Sequence, residues 1–274
     1  MKTWYCVAAI GLSLLTTACN RVETTEKGTV GIERKQTMLT LLSTEQVNQM
    51  AASSYHQTLQ NAESHGRLNA DHAKVQRLRQ IAKRLIPQVK VFRADALQWK
   101  WEVNLESNPQ LNAYCAPGGK IMFFTGIIDK LHLTDDEIAA IMGHEIAHAL
   151  REHGRERMSK AYSQRLLAQG VSVLTKGKYD QQIDIAMGVT DLAYNLPNSR
   201  QNETEADQIG LELSARAGYD PRAAIRLWQK MGQASQGQPP QFLSTHPSHD
   251  SRIRDLEAKM PLVLPLYEAA NPQR

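Results

Sequence analysis

The chain has 274 residues, 42% hydrophobic and 22% charged, enough to bury a sizeable core. Lys+Arg 32 against Asp+Glu 28 leaves a net charge of +4, spread without a run of five like charges, which argues against nucleic acid as a partner or a polybasic membrane patch. With aromatics at 6% and no internal period of 20 to 50 residues, disordered and solenoid classes drop out as well.

Residues 1–18 read as a signal peptide. Lys2 supplies a short positive region, Val7 to Leu15 an apolar stretch too short to span a bilayer, and Thr17-Ala18 the small residues a signal peptidase requires. Of three cysteines, Cys6 lies in that segment, Cys19 at its end and Cys115 in the body, so no disulfide framework is expected within the body. LLTTACN resembles a bacterial lipobox, with Thr16 where the pattern prefers Leu, Val or Ile, and implies a lipidated Cys19. Asn20 in place of Asp implies the inner face of the outer membrane. Residues 20–36 are polar and aperiodic, so 19–42 reads as a lipid-anchored tether and 43–274 as one domain.

Helical periodicity runs from Ser43 to Gln60 and from Ala70 to Ile86, where Val75, Leu78, Ile81, Ala82 and Leu85 share a face before Pro87. Gln98 to Glu106 then alternates Trp99, Trp101, Val103 and Leu105 with Lys100, Glu102 and Asn104, the pattern of a half-buried strand. Two short strands, Ala113 to Ala116 and Lys120 to Thr125, flank the turn Pro117-Gly118-Gly119 and complete a small antiparallel sheet. Thr134 with Glu137 forms a capping box that opens a helix running past His148 to about His153. Further helices are expected at Arg155 to Thr175, Asp180 to Leu192, Gln201 to Ala217 and Pro221 to Gly232, then a loop to Gln241 and a last helix near Pro247. The fold class is α+β and mostly helical.

His144-Glu145-Ile146-Ala147-His148 carries the chemistry. Four residues apart on a helix, His144 and His148 can present two imidazole nitrogens to one ion, and Glu145 lies about 100° round the helix, beside that ion, where a base for an activated water belongs. With 9 His in 274 residues such a motif arises by chance only ~0.02 times. A catalytic zinc needs a third protein ligand. The metzincin spacing fails, because Arg151 stands where its Gly should be and Gly154 where its third His should be. His153, one residue out of register, reads as a solvated helix-end residue. The other common solution is a Glu on a later helix, and Asn202 to Asp207 supplies Glu203, with Asp207 on the same face placed to hold a ligand histidine and Glu205 pointing elsewhere.

GHEIAHAL, then SRQNETEADQIGLELSARAGYDP, then STHPSHDSRI resembles the gluzincin metallopeptidase family of HtpX, the CAAX prenyl protease, the mitochondrial inner-membrane stress protease and the periplasmic BepA and LoiP proteases, over about Asn112 to Leu256. The resemblance implies Glu203 as third zinc ligand and Asp207 as the acid behind a ligand histidine. It also implies that the strand and turn at Asn112 to Gly119 offer an edge to an extended peptide. The soluble, lipid-anchored branch matches better than the membrane-spanning one. One Zn2+ held by His144, His148 and Glu203, with Glu145 as general base, would hydrolyse unfolded or misassembled envelope polypeptides. His246 is expected to donate to the oxyanion and Arg252 to buttress its loop, while Cys115 reads as a buried sheet residue. Two rival readings carry the same ligands: a zinc-containing chaperone-like assembly factor of the envelope, and a small-molecule zinc hydrolase.

Overall fold

The computed structural model describes residues 19–39, 42–163, 198–234, 241–246 and 251–272. The expected signal segment 1–18 and the helix expected at Asp180 to Leu192 lie outside the described residues.

Helix starts follow side-chain capping. Ser43 accepts from the amide of Gln46 and opens α1 (Thr44–Ser64) with a complete capping box, and Asp71 accepts from the amide of Lys74 to open α2 (His72–Leu85). The stripe Val75, Leu78, Ile81, Ala82 and Leu85 is buried. Beyond it the chain tightens into two short turns of 3-10 helix, Ile86–Val91 and Ala94–Gln98, so the strand pattern read from Gln98 is realised only in β3 (Glu102–Glu106).

β4 (Ala113–Ala116) and β5 (Lys120–Phe124) form the expected hairpin, with Gly118 and Gly119 at φ 80° and 83°, backbone conformations that glycine adopts freely. The sheet is mixed, however, and the fully antiparallel expectation is corrected. Its order is β3-β5-β4, with β5 parallel to β3 and antiparallel to β4. Residues 107–112 carry the chain from the end of β3 to the start of β4 at the same end of the sheet, and β5 enters the gap between them. Asn104, read as solvent-facing, is buried because α1 covers that face: its side-chain amide donates to the hydroxyl of Tyr55 (3.0 Å), which donates to the carbonyl of Ile121 (2.7 Å).

After the short α3 (Thr125–Lys130), Thr134 caps α4 (Asp135–Leu150) with the expected reciprocal bonds to Glu137. α4 is buried from Glu137 to Leu150 and forms the centre of the core. It stops at Leu150, not near His153, because Glu152 takes φ 50° and turns the chain before residues 153–163 resume helix. α5 (Arg200–Arg216), capped by Ser199, crosses α4, and α6 (Ala223–Ala234), α7 (Gln241–Thr245) and α8 (Ser251–Ala270) close the far side. Among the described residues no helix is long and apolar enough to cross a membrane.

The stretch read as a loose tether is part of the body. β1 (Cys19–Val22) pairs antiparallel with β2 (Gln36–Leu39), and Val30, Ile32, Met38 and Leu39 are buried. The amide of Glu26 donates to the carbonyl of Phe92 (2.7 Å), the amide of Val30 to Glu212 (2.9 Å), and Lys259 to the carbonyl of Val30 (2.7 Å). Its polar residues find fixed charged partners on the domain, a pairing that periodicity cannot reveal.

The crossing of α4 and α5 is set by Gly143 and Gly210. A β-carbon on Gly210 would lie 2.6 Å from the backbone nitrogen of His144, and one on Gly143 would lie 2.9 Å from the carbonyl oxygen of Gly210. Backbone on backbone cannot yield as a side chain can. Gly210→Ala is therefore expected to cost about 1–3 kcal/mol through overpacking and to weaken metal retention, read from thermal melts and zinc content of one preparation. A variant as stable and as zinc-loaded as the parent would contradict it.

Candidate metal centre

Four buried side chains, His144, His148, Glu203 and His246, bring one potential ligand atom each within 4.8 Å of one another. His144 and His148 project from one face of α4, their Nε2 atoms 3.1 Å apart. Glu203, in the first turn of α5, places its carboxylate oxygens 3.4 Å from each of these nitrogens. His246 Nδ1 lies 3.2 Å from His144 Nε2 and 3.1 Å from Glu203 Oε1. Tetrahedral zinc with ligands at about 2.0–2.1 Å sets its ligand atoms roughly 3.3 Å apart, and these separations of 3.1–3.4 Å lie near that spacing. Glu145 Oε1 is buried beside the cluster without a hydrogen bond of good geometry, 3.4 Å from His246 Nε2, as a carboxylate oxygen facing an ion's water should be. The donor set fits one zinc ion.

The supports of each donor differ. His144 Nδ1 donates to Asp207 (3.0 Å), which turns its Nε2 lone pair toward the cluster. Asp207 in turn accepts two bonds from Arg252 (2.7 and 2.6 Å), and Arg252 lies 2.9 Å from Glu203 while stacking on Trp228. Arg252 thus serves the two carboxylates directly. His246 has its own supports: Phe242 stacks on its ring at 4.4 Å, and the backbone amide and side chain of Asn198 both donate to the carbonyl of the preceding Thr245.

His153 is corrected from a solvated residue to a fully buried one. On an unbroken helix it would point away from His148. The turn at Glu152 brings it back, so that its Nδ1 lies 2.8 Å from His148 Nδ1 and its Nε2 3.1 Å from Glu205. Glu205 does point away from the cluster, as read, but into a second charged knot with Arg34 and Arg151. No motif announced this pair, and the signal that could have found it, a histidine five residues past the helix motif, is legible only once the helix break is known. Cys115 is buried in β4, as expected.

Electrostatics sort the protons. Burial alone would lower His144, but its bond to Asp207 and the neighbouring Glu203 outweigh burial and hold it up at about 9. Burial drives His148 well below its ordinary value and His153 down to about 4, so both stay neutral near pH 7. Against the same burial, His246, His144 and His148 keep Glu203 ionised, well below the usual carboxylate range. Glu145 is raised, chiefly by burial, with His246, His144 and the backbone amide of Cys115 pulling the other way.

Comparison with known proteins agrees with the geometry. The model of Peptidase family M48 matches residues 72–260. The chain is 39% identical to mitochondrial metalloendopeptidase OMA1 of Arabidopsis thaliana over 158 residues, 56% of this chain and 30% of that protein. It is 34% identical to the OMA1 of Saccharomyces cerevisiae over 180 residues, 63% of this chain and 50% of that one. It is 28% identical to the beta-barrel assembly-enhancing protease of Escherichia coli over 178 residues, 60% of this chain and 35% of that protein. The matches span half or less of the length of these relatives.

A proton held on His144 competes with zinc. The raised value means that this group stabilises the metal-free fold fully below its ordinary 6.5 and that the contribution is lost as pH rises through about 9. Apparent zinc affinity should therefore rise with pH up to about 9, with about one proton released per zinc bound near pH 7.5. Titration calorimetry in two buffers of different ionisation enthalpy checks this, and an affinity flat between pH 6.5 and 9 would refute it.

Proposed function

The chain belongs to peptidase family M48, and from that premise we propose that it is a zinc metalloendopeptidase of the bacterial cell envelope, acting on unfolded or misassembled polypeptides. The carrying observation is the buried donor cluster with Glu145 beside it. His144, His148 and Glu203 would hold the ion, with Asp207 and Arg252 fixing His144 and Glu203. Zinc bound there supplies Lewis acidity, acidifying a water molecule and polarising a peptide carbonyl.

The chain's own groups do the rest. Glu145, raised by burial and with Oε1 free of hydrogen bonds, is poised to take a proton from the attacking water and pass it to the leaving amine nitrogen. β4, at the edge of its sheet and packed on α4, can pair with an extended substrate strand and lay its carbonyl beside the cluster. A small-molecule hydrolase has no use for such an edge, and a non-catalytic zinc factor none for Glu145.

His246 favours a second element of this reading. Its Nδ1 stands inside the cluster, 3.2 Å from His144 Nε2 and 3.1 Å from Glu203 Oε1, where a water or substrate oxygen would sit, and its Nε2 lies 3.4 Å from Glu145 Oε1. In this arrangement His246 would be a fourth ligand to the ion in the place a water or substrate oxygen needs, so turnover would require His246 to leave that place.

The setting rests on the N-terminal residues. The pattern of residues 1–18 with Cys19 supports export and an outer-membrane lipid anchor, consistent with relatives named for beta-barrel assembly in Yersinia pestis and Escherichia coli.

On a quenched peptide substrate, Glu145→Gln should keep zinc and lose turnover, whereas Glu203→Gln should lose both, because a neutral amide is a poor zinc ligand. His246→Ala should keep zinc and raise activity. A fall in kcat of roughly 10²–10³ in that variant would instead make His246 an oxyanion donor, and chelator-insensitive cleavage by the parent would end the metallopeptidase reading. Separately, Cys19→Ser should move the protein from the membrane fraction to the soluble one while leaving peptide cleavage intact. A parent that fractionates as soluble would end the anchor.

A further inference from the structure

The ligand histidines have unlike supports. His144 has a carboxylate behind it, whereas His148 has another histidine, and Glu205, which holds that histidine, is itself held partly by Arg34 of the N-terminal segment. We infer that His153 and Glu205 are positioning residues for His148, and that Arg34, on the segment between β1 and β2, locks them in place. This rests on the reading of His148 as a zinc ligand.

Hydrogen-bond bookkeeping fixes the direction of the line. His148 must offer the lone pair of Nε2 to the ion, so its proton sits on Nδ1 and points at His153 Nδ1, 2.8 Å away. Two ring nitrogens at that distance need one donor and one acceptor. His153 Nδ1 therefore accepts, its proton sits on Nε2, and it donates to Glu205 Oε2 at 3.1 Å. A fully buried His153 with this tautomer turns the carboxylate of Glu205 into a fixed support for His148, one side chain removed.

Glu205 cannot do this alone, since its two oxygens would be free to rotate. Arg151 donates from Nε to Oε2 (2.9 Å), and Arg34 donates to both oxygens, through Nε to Oε1 and Nη2 to Oε2 (3.1 Å). The guanidinium of Arg34 is itself fixed by a two-pronged pair with buried Glu156 (2.7 and 3.0 Å) and by Asn202 (3.1 Å). The backbone carrying it is pinned in turn: Arg151 donates to the carbonyl of Arg34 (2.9 Å) and to Thr25 (3.0 Å), and Gln36 donates to the carbonyl of Arg151. One planar fork, delivered from a segment more than a hundred residues upstream, thus fixes the groups that orient a metal ligand.

The test uses the full mature chain and zinc itself. Zinc affinity is measured by competition with a chromogenic chelator for His153→Phe, which keeps ring volume without donor or acceptor, for Glu205→Gln, and for the pair combined. Each single variant should weaken zinc by about 10–100-fold, and the double variant no further than the weaker single, because all three break one line. The visible spectrum of the Co2+-substituted protein should shift in the same variants, which a change in bulk stability alone would not produce. Arg34→Gln, at a partly exposed position, serves if the buried variants do not fold and should weaken zinc in the same direction, with Arg34→Lys restoring part of the loss. Zinc affinity within twofold of the parent, or additive losses in the double variant, would overturn the inference. A parent chain that binds no zinc would instead overturn the metal reading beneath it.

Discussion

Everything at the site depends on how closely two helices can cross. Gly143 immediately precedes His144, and Gly210 lies two turns beyond Glu203 and one beyond Asp207, so the point of nearest backbone approach lies beside the side chains that build the cluster. Any side chain at either position would hold α5 off α4, and the carboxylate of Glu203 would no longer reach both imidazoles. The apolar packing around this crossing, from Ile138, Ile141, Leu211 and Leu213, keeps the two helices in register.

Charge inside such a core has to be balanced locally, because water cannot screen it. The structure does this with two knots. In one, Arg252 faces Asp207 and Glu203 and lies flat on Trp228, and in the other Arg34 and Arg151 face Glu205 and Glu156. Each knot ends on one histidine of the cluster, Asp207 on His144 and Glu205, through His153, on His148. Glu145 belongs to neither, and its raised value marks the one carboxylate of the centre that burial is left to govern.

What was legible in the sequence were features with short-range spacing. His144, Glu145 and His148 are fixed by helix geometry, Asp207 by its place four residues after Glu203, and the capped start of α4 by Thr134 and Glu137, and the structure puts all of them where that geometry requires. What was not legible depends on breaks and long-range pairing. The left-handed residue at Glu152 carries no glycine to announce it, and without it His153 cannot be placed. The insertion of β5 between β3 and β4 leaves every strand pattern unchanged, so local alternation cannot tell a mixed sheet from an antiparallel one. Gly143 and Gly210 read as ordinary helix glycines until the two helices are seen to touch.

The N-terminal segment shows most clearly why composition misleads. Polar residues without period are the signature of a linker, yet here they are polar because the surface they meet is charged: Arg34 meets Glu156 and Glu205, Thr29 accepts from Arg216, and Thr25 from Arg151. A linker that must also serve as a clamp would be selected for such matched groups and not for apolar periodicity. Cys19, read as the anchoring residue, opposes Leu39 in β1–β2, so little slack separates it from the body. A lipid at that position would hold the domain against the bilayer by the same strand pair that carries Arg34 to the metal centre, and the attachment and the site would share one piece of backbone.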